Sequence, residues 1–344
     1  MFKTPEDSTA GGGTDVLSDV LRAVHLSGAV FFDFELRAPW VAEAPPSRDI
    51  AGQVMPGAQR VIEYHWIAEG SCWGHLIGAE PIRLREGDLI AFPQGDAHVL
   101  SSAPGMRSAP NLSMYARPTT PLPLVYEMGA DGPDRARVVC CFLGCDERPY
   151  NPLLAALPAV IHLAASRTSP SIGWLGTLLG AATGESRASR PGSGNVLERL
   201  SELVFVELVR QHLAGLDPTH TGWLAGLRDP VVGRALGALH GQPRSEWTVE
   251  RLARHVGLSR SMFSERFTAM VGDPPMQYLA RWRMQLAAHY LLAGESVAVA
   301  ADKVGYQSEA AFSRAFKKSV GEAPATWRRT THARPGSAGT PPRR

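Results

Sequence analysis

The chain has 344 residues, of which 44% are hydrophobic and 20% charged, with a formal net charge of +2 at pH 7. That length exceeds one ordinary core and suits two domains. No uncharged apolar run reaches the roughly 18–20 residues that a bilayer span needs, and four cysteines in such a length exclude a disulfide scaffold. The charge is unevenly divided: residues 228–344 hold 18 Lys and Arg against 9 Asp and Glu, whereas residues 1–227 hold 17 against 24. A basic C-terminal part on an acidic remainder points to a polyanion-binding module joined to a part with another task.

In chain order, residues 1–14 read as a disordered, glycine-rich leader without the apolar core of a secretory signal, so a cytoplasmic location is expected. A short amphipathic helix follows, carrying Val16, Leu17, Val20, Leu21 and Val24. From 28 to 143 the pattern changes to short strands broken by Gly and Pro. Phe32, Phe34 and Leu36 alternate with Asp33 and Glu35, and similar runs occupy 61–67, 72–77, 82–84, 88–92, 98–101 and 138–143. Many short strands at close spacing predict a small barrel or sandwich. After Pro149 the chain turns helical, interrupted at 180–195 by a Gly-, Ser-, Ala- and Arg-rich stretch that reads as a flexible loop. Apolar residues at 196, 197, 200, 203, 204, 208, 209 and 213 then predict a helix with a wide apolar stripe, which either packs on its own barrel or joins two subunits. Residues 215–222, GLDPTHTG, read as an interdomain linker.

The C-terminal part is a series of short helices with readable start and stop signals. Asp229-Pro230 opens a helix to about His240. Thr248 caps a helix to His255, Gly257 supplies the turn, and Ser259 caps a helix to about Met270 that buries Phe263 and Phe267. The pattern recurs: Ser296 caps a helix to Lys303, Gly305 turns, and Ser308 caps a helix carrying Phe312 and Phe316. Helix, Gly-turn, helix is the unit that lays its second helix in a DNA major groove. One copy is a weak signal in any helical protein; two matched copies in the basic half are far more specific. The helix that joins them, from about Pro275 to Leu292, makes a rod of roughly 25 Å. Successive major grooves on one face of duplex DNA are roughly 34 Å apart, so such a rod with its flanking loops can serve two adjacent grooves.

The runs PPMQYLARWRMQLAAHYLL and SVAVAADKVGYQSEAAFSRAFKKSVGEAPATWRR resemble the C-terminal domain of AraC/XylS transcriptional regulators over about 229–329. The resemblance implies a seven-helix domain in which each second helix faces DNA bases. On this sequence those helices would present Ser259, Arg260, Ser261, Met262, Ser264 and Glu265, then Ser308, Glu309, Ala310, Ser313, Arg314 and Lys317. Arg314 suits guanine or a phosphate, Glu265 and Glu309 suit cytosine N4, and Met262 or Ala310 suits a thymine methyl. Ser259 and Ser308 hold backbone amides first and phosphate second. Arg266, Arg281, Arg283, Lys317 and Lys318 are phosphate candidates, although any one of them could instead be a solvated or core-paired charge.

The segment GDLIAFPQGDAH, with Gly87, Pro93, Gly95 and His98, resembles the second signature of the cupin barrel. With NPLLAALP and GWLAGLRDP downstream, it matches AraC-type regulators bearing a cupin-like sensor. A metal-bearing cupin would supply His-x-His and a Glu from its first signature. Here Ile67 replaces the second His and Glu69 comes too early, leaving His65 and His98, with Cys72 and His75 nearby. About three protein ligands are needed for a catalytic metal, so no metal and no cofactor is expected. The barrel is read as binding a small molecule through His65, Trp73, His75 and His98. The alternatives are a scaffold without ligand, or metal or oxidant sensing through Cys72, Cys140, Cys141, Cys145 and the histidines. Neighbours in a strand face opposite sides, so Cys140 and Cys141 cannot both line one site.

The expected architecture is two-domain α+β: a cupin-like β-barrel over 15–150, a helical connector over 151–214, the linker over 215–222, an all-α double helix-turn-helix domain over 223–329, and a disordered tail over 330–344. The expected function is sequence-specific, one-component transcriptional regulation without catalysis. Double-stranded DNA is the main partner, RNA polymerase and a small effector are further candidates, a homodimer is expected, and no membrane is. A metal-dependent cupin enzyme with an appended DNA-binding domain is the alternative, and a nonspecific nucleoid protein a third reading.

Overall fold

The computed structural model describes residues 15–23, 26–58, 60–115, 124–145, 149–165, 170–188, 190–217 and 219–332. The leader expected over 1–14 and the tail from 333 onward lie outside the described residues. The chain divides into two compact units, one built from the described parts of 24–148 and 154–217, the other from those of 1–23, 149–153 and 218–328.

The first unit is a curled sheet. Its strands are β1 (Leu26–Arg37), β2 (Val41–Ala44), β3 (Arg60–Leu76), β4 (Ile82–Arg85), β5 (Leu89–Phe92), β6 (His98–Ser101), β7 (Leu124–Gly129), β8 (Arg135–Cys145) and β9 (Ile161–Leu163). The order is β2-β6-β3-β8-β1-β7, with β4 and β5 on β3 and β9 beyond β5. The runs expected at 61–67 and 72–77 are a single strand. No turn separates them: β3 carries a bulge between Ile67 and Glu69, where Ala68 is the extra residue against β8, and beyond it the strand pairs with β4 and β6. A bulge bends a strand and raises its twist, which lets one long strand serve both walls of a barrel. Phe32, Leu36, Val61, Ile67, Cys72, Leu84, Phe92, Leu100, Val138 and Phe142 fill the interior.

Two helices α4 (Pro170–Ala188) and α5 (Ser193–Gly215) accompany this sheet. The loop expected over 180–195 is therefore helix for most of its length. Composition predicts a flexible loop there, but Leu175, Leu178, Leu179 and Ala182 form a buried stripe that carries the helix on, and α4 packs on α5. The Thr183 hydroxyl donates to the Leu179 carbonyl at 2.7 Å, so its polar group is satisfied within the helix. Helix α5 packs on its own sheet with one side, and leaves Val196 and Leu203 exposed on another. Leu197, Ser201, Val204, Phe205, Leu208 and Val209 are buried, and the Tyr64 and Ser201 hydroxyls lie 2.5 Å apart. Shorter helices α2 (Ser47–Val54) and α3 (Pro152–Ala156), and a helical turn at Leu112–Tyr115, complete the connections.

The second unit is helical. It contains α1 (Val16–Ala23), α6 (Trp223–Arg228), α7 (Val232–Gly241), α8 (Val249–Val256), α9 (Arg260–Val271), α10 (Pro275–Leu292), α11 (Val297–Lys303), α12 (Glu309–Val320) and α13 (Pro324–His332). Helix α1, read from composition as the front of the barrel, packs here on α7 and α10, and the Gln285 amide donates to the Ala23 carbonyl at 2.9 Å. Its amphipathic stripe specified a dry face without specifying which core would cover it. Helix α10 serves two cores. Tyr278, Leu279 and Trp282 lie with the earlier helices, where Tyr278 meets Phe267. Met284, Ala287, Ala288 and Leu291 pack with Ala300, Val304, Phe312, Phe316 and Trp327. Helix α13 continues to His332 with Thr331 buried, so helix and not tail occupies 330–332. Among the described residues no helix is long and apolar enough to cross a membrane.

Candidate DNA interface and sensor cavity

Two helix-turn-helix units are present, and their local chemistry is that of the sequence. Thr248 and Ser259 accept from the amides of Arg251 and Met262, while Ser296 and Ser308 accept from those of Val299 and Ala311. Each hydroxyl satisfies an amide that the first helical turn leaves open. Gly257 and Gly305 make the turns at φ of 76° and 81°, a left-handed conformation that side chains resist.

Because Phe263 and Phe267 are fully buried, the opposite face of α9 is outward: Arg260, Ser261, Met262 and Glu265 are exposed and Ser264 half-buried. Met262 is 58% exposed, an apolar side chain on the outward face of α9. On α12, burial of Phe312 and Phe316 leaves Glu309, Ala310, Arg314, Lys317 and Lys318 exposed and Ser313 half-buried, with Ser259 and Ser308 exposed at the two helix starts. Arg260 pairs with Glu250 at 2.8 Å across open surface, a contact weak enough to be exchanged for another anion. The other arginines considered for phosphate are engaged within the unit. Arg266 pairs with Asp229 at 2.7 Å, and Arg281 pairs with Asp273 at 2.8 Å beneath the ring of Tyr150. Half-buried Arg283 donates to the carbonyls of Pro243 and Ser245.

In the sheet unit a cavity of about 180 Å³ opens among Phe32, Phe34, Trp40, Leu100, Met114, Tyr115, Met128, Val138 and Phe142, with Glu63, His65, His98 and Cys140 in its wall. His65 and His98 therefore line it as expected. Trp73 and His75 do not: Arg83 lies over Trp73, and His75 is buried away from the cavity. The cause is the bulge at Ala68. Beyond it the alternation changes phase, so Cys72, not Trp73 or His75, points into the core.

His98 is aimed by the preceding turn. Gly95 has φ of 69°, and a Cβ there would meet Ser47 Oγ at 2.0 Å, so only glycine lets the turn close against α2. Phe92 stacks on the His98 ring at 3.8 Å, and the two imidazoles meet with Nε2 atoms 2.8 Å apart. His98 Nδ1 lies 3.0 Å from the Asp96 carbonyl and must donate to it, since a carbonyl has no proton to give. Its Nε2 is then a lone pair that accepts from His65 Nε2–H. The remaining nitrogen, His65 Nδ1, accepts from the Cys140 thiol at 2.8 Å. This chain is neutral throughout. Burial pushes His98 down to about 4 and holds His65 well below the usual imidazole range, the neighbouring ring adding to the effect.

Glu63 was missed by the sequence reading, which sought a carboxylate after His65 and not before it. It sits two residues ahead on the same face of β3, and its Oε2 is 3.9 Å from His98 Nε2. Burial pushes its carboxyl up to about 8, so with His98 neutral the two form no ion pair. Both Glu63 oxygens are buried without a hydrogen-bond partner among the described residues. The ligand atoms of Glu63, His65 and His98 all lie within 4.8 Å of one another, so three candidate metal ligands are present where the sequence suggested two. Cys72 and His75, expected nearby, are not among them.

All four cysteines are buried. Burial pushes Cys72 up to about 12 and holds Cys140 and Cys141 well above the usual thiol range. Reactive thiols need thiolate character and access, and Cys72, Cys140 and Cys141 lack both. As strand alternation requires, Cys140 lines the cavity and Cys141 does not.

Known proteins share both halves. Residues 15–214 match the cupin family profile, and residues 252–330 match that of the helix-turn-helix domain. The chain is 29% identical over 315 residues to the HTH-type transcriptional regulator AlkR of Acinetobacter baylyi, covering 91% of this chain and 99% of that protein. It is 33% identical over 276 residues to a putative AraC-like transcription regulator of Streptomyces lividans, covering 79% and 88%. Among solved structures, the DNA-binding domain of AdpA in complex with a target DNA is 30% identical, covering 30% of this chain and 95% of that one, with a TM-score of 0.29. A cupin domain followed by two helix-turn-helix units, with this identity over most of the chain, makes the protein a member of the AraC-like family of DNA-binding transcription regulators.

Proposed function

We propose that the chain is a one-component regulator that acts by binding alone: α9 and α12 read DNA bases, and a small molecule in the sheet cavity controls that reading. The observation that carries it is the outward face of each second helix. Each is capped by a serine and pinned by two buried phenylalanines, and each offers base-reading side chains to solvent. Arg260, Ser261, Met262, Ser264 and Glu265 form one reading surface; Glu309, Ala310, Ser313 and Arg314 form the other, with Lys317 on phosphate. In vitro selection of duplexes by the full chain should return two contacted segments about 10 bp apart. Recovery of no preferred sequence would leave only nonspecific binding.

Arg314→Ala should weaken the selected site by about 1–3 kcal/mol and relax discrimination at one base pair. A uniform loss on all sequences would make Arg314 a phosphate clamp, and no loss would place α12 away from the bases. A homodimer is part of this reading, supported by Val196 and Leu203, exposed at 44% and 48% and seven residues apart on α5. It would double the footprint in the same selection. Contact with RNA polymerase belongs to the same proposal as the route from bound DNA to transcription.

The effector class follows from the cavity. An apolar void of roughly 150 Å³ accepts benzene, so about 180 Å³ with polar groups at one end suits a compact apolar molecule bearing one hydrogen-bonding group. Phenol should raise the melting temperature of the full chain, and Val138→Phe, which fills the cavity, should remove that shift. A shift of equal size in the filled variant would put the binding elsewhere.

A further inference from the structure

Alternation along β3 puts Glu63 and His65 on one face, and the Gly95 turn brings His98 against them. The neutral hydrogen-bond chain through Cys140, His65, His98 and the Asp96 carbonyl accounts for both rings. It leaves Glu63 unexplained, with two buried oxygens that no described residue satisfies. Buried polar atoms are nearly always partnered, and two orphans on one carboxylate beside two imidazoles point to a ligand. Two imidazoles and one carboxylate form a donor set for zinc or ferrous iron, with further positions left open.

We propose that Glu63, His65 and His98 hold one divalent transition cation, zinc or ferrous iron, at the end of the cavity. Binding uses Nε2 of both rings and the Glu63 carboxylate, whose proton is released to solvent; His65 moves its proton to Nδ1 and donates from there to Cys140 Sγ, while His98 keeps its bond to Asp96. Cys140 is a positioning residue and not a ligand, because its sulfur sits on the Nδ1 side of His65, across the ring from Nε2. Phe92, stacked on His98 and edge-on to His65, fixes the planes of both rings. The open positions face the cavity, where the polar group of an occupant could complete the shell. The cation site uses the same cavity but does not require that an effector bind there.

The test is a titration of the full chain, freed of metal by a chelator, with Zn²⁺ and, without oxygen, with Fe²⁺. One equivalent per chain is expected, with the tighter of the two identifying the cation. Glu63→Gln and His98→Gln should each lower affinity at least about 10-fold, and Cys140→Ala by up to about 10-fold through loss of the His65 anchor. Absence of binding, or unchanged affinity in both ligand variants, overturns the proposal. X-ray absorption of the zinc-loaded wild-type chain decides the matter even if the variants do not fold. Two imidazoles and oxygen in the first shell support the site, whereas sulfur in that shell or oxygen alone overturns it. Phenol binding to the metal-free chain is read separately, so failure of one proposal is distinguishable from failure of the other.

Discussion

Phe312→Ala should remove about 3–5 kcal/mol from the second helix-turn-helix unit and erase one of the two DNA contacts. Phe312 is fully buried among Met284, Ala288, Leu291, Ala300 and Phe316, and its ring meets Tyr306 and Phe316 edge-on or tilted, at 5.6 Å. Truncation loses the transfer free energy of the ring and leaves a void that short helices cannot close. Against a total domain stability of about 5–15 kcal/mol, such a loss is enough to fray α11 and α12 locally. Phe267→Ala is the mirror experiment for the first unit, where Phe267 packs on Phe263 and Tyr278. Each variant should select duplexes that retain the other unit's half of the site. Loss of both halves from either substitution, with helical circular dichroism preserved, would show that the two cores act as one.

Acid should destabilise the helical unit through His240. Its ring stacks on Trp282 at 4.1 Å, and its Nε2 lies 2.6 Å from the Tyr278 hydroxyl. That hydroxyl already accepts from the Trp223 indole at 2.7 Å, so it donates its own proton to His240 Nε2. His240 therefore carries its proton on Nδ1, and burial pushes its pKa down to about 3. The unfolded chain binds a second proton below about 6.5, while the folded unit refuses it until about pH 3. The stabilisation is therefore fully present above 6.5 and is lost as pH falls through that window, by about 5 kcal/mol at its end. His240→Phe keeps the stacking and removes the titration. It should flatten the loss between pH 6.5 and 4, at about 1 kcal/mol near neutrality for the missing hydrogen bond. Tryptophan fluorescence during acid titration reads both effects, and superimposable wild-type and variant curves would remove His240 from the account.

The DNA-binding half was legible almost residue by residue, and the sensor half only in outline. Ser259 and Ser308 declare their helices because a cap bonds an amide three residues away. Phe263, Phe267, Phe312 and Phe316 declare the buried faces because helical spacing is also local. The sensor site depends on which strands meet. Glu63 joins His98 only through folding of the sheet across 35 residues, and one extra residue at Ala68 turns Trp73 and His75 away from the cavity that receives His65. Arg266, Arg281 and Arg283 looked equally free as phosphate clamps, yet each meets an acceptor supplied by another segment. Composition alone also misread 180–195, where α4 runs on to Ala188 from the buried stripe of Leu175, Leu178, Leu179 and Ala182.

By itself the amino-acid order determined the paired helix-turn-helix units, their caps and turns, and the barrel signature ending at His98, since each is written within a few consecutive residues. Only the tertiary structure decided that Glu63 completes a three-ligand cluster, that α5 packs on its own sheet, and that α1 joins the helical unit. Those outcomes depend on contacts between distant segments and on one bulge, and hydrophobic periodicity specifies that a face is buried without naming what buries it.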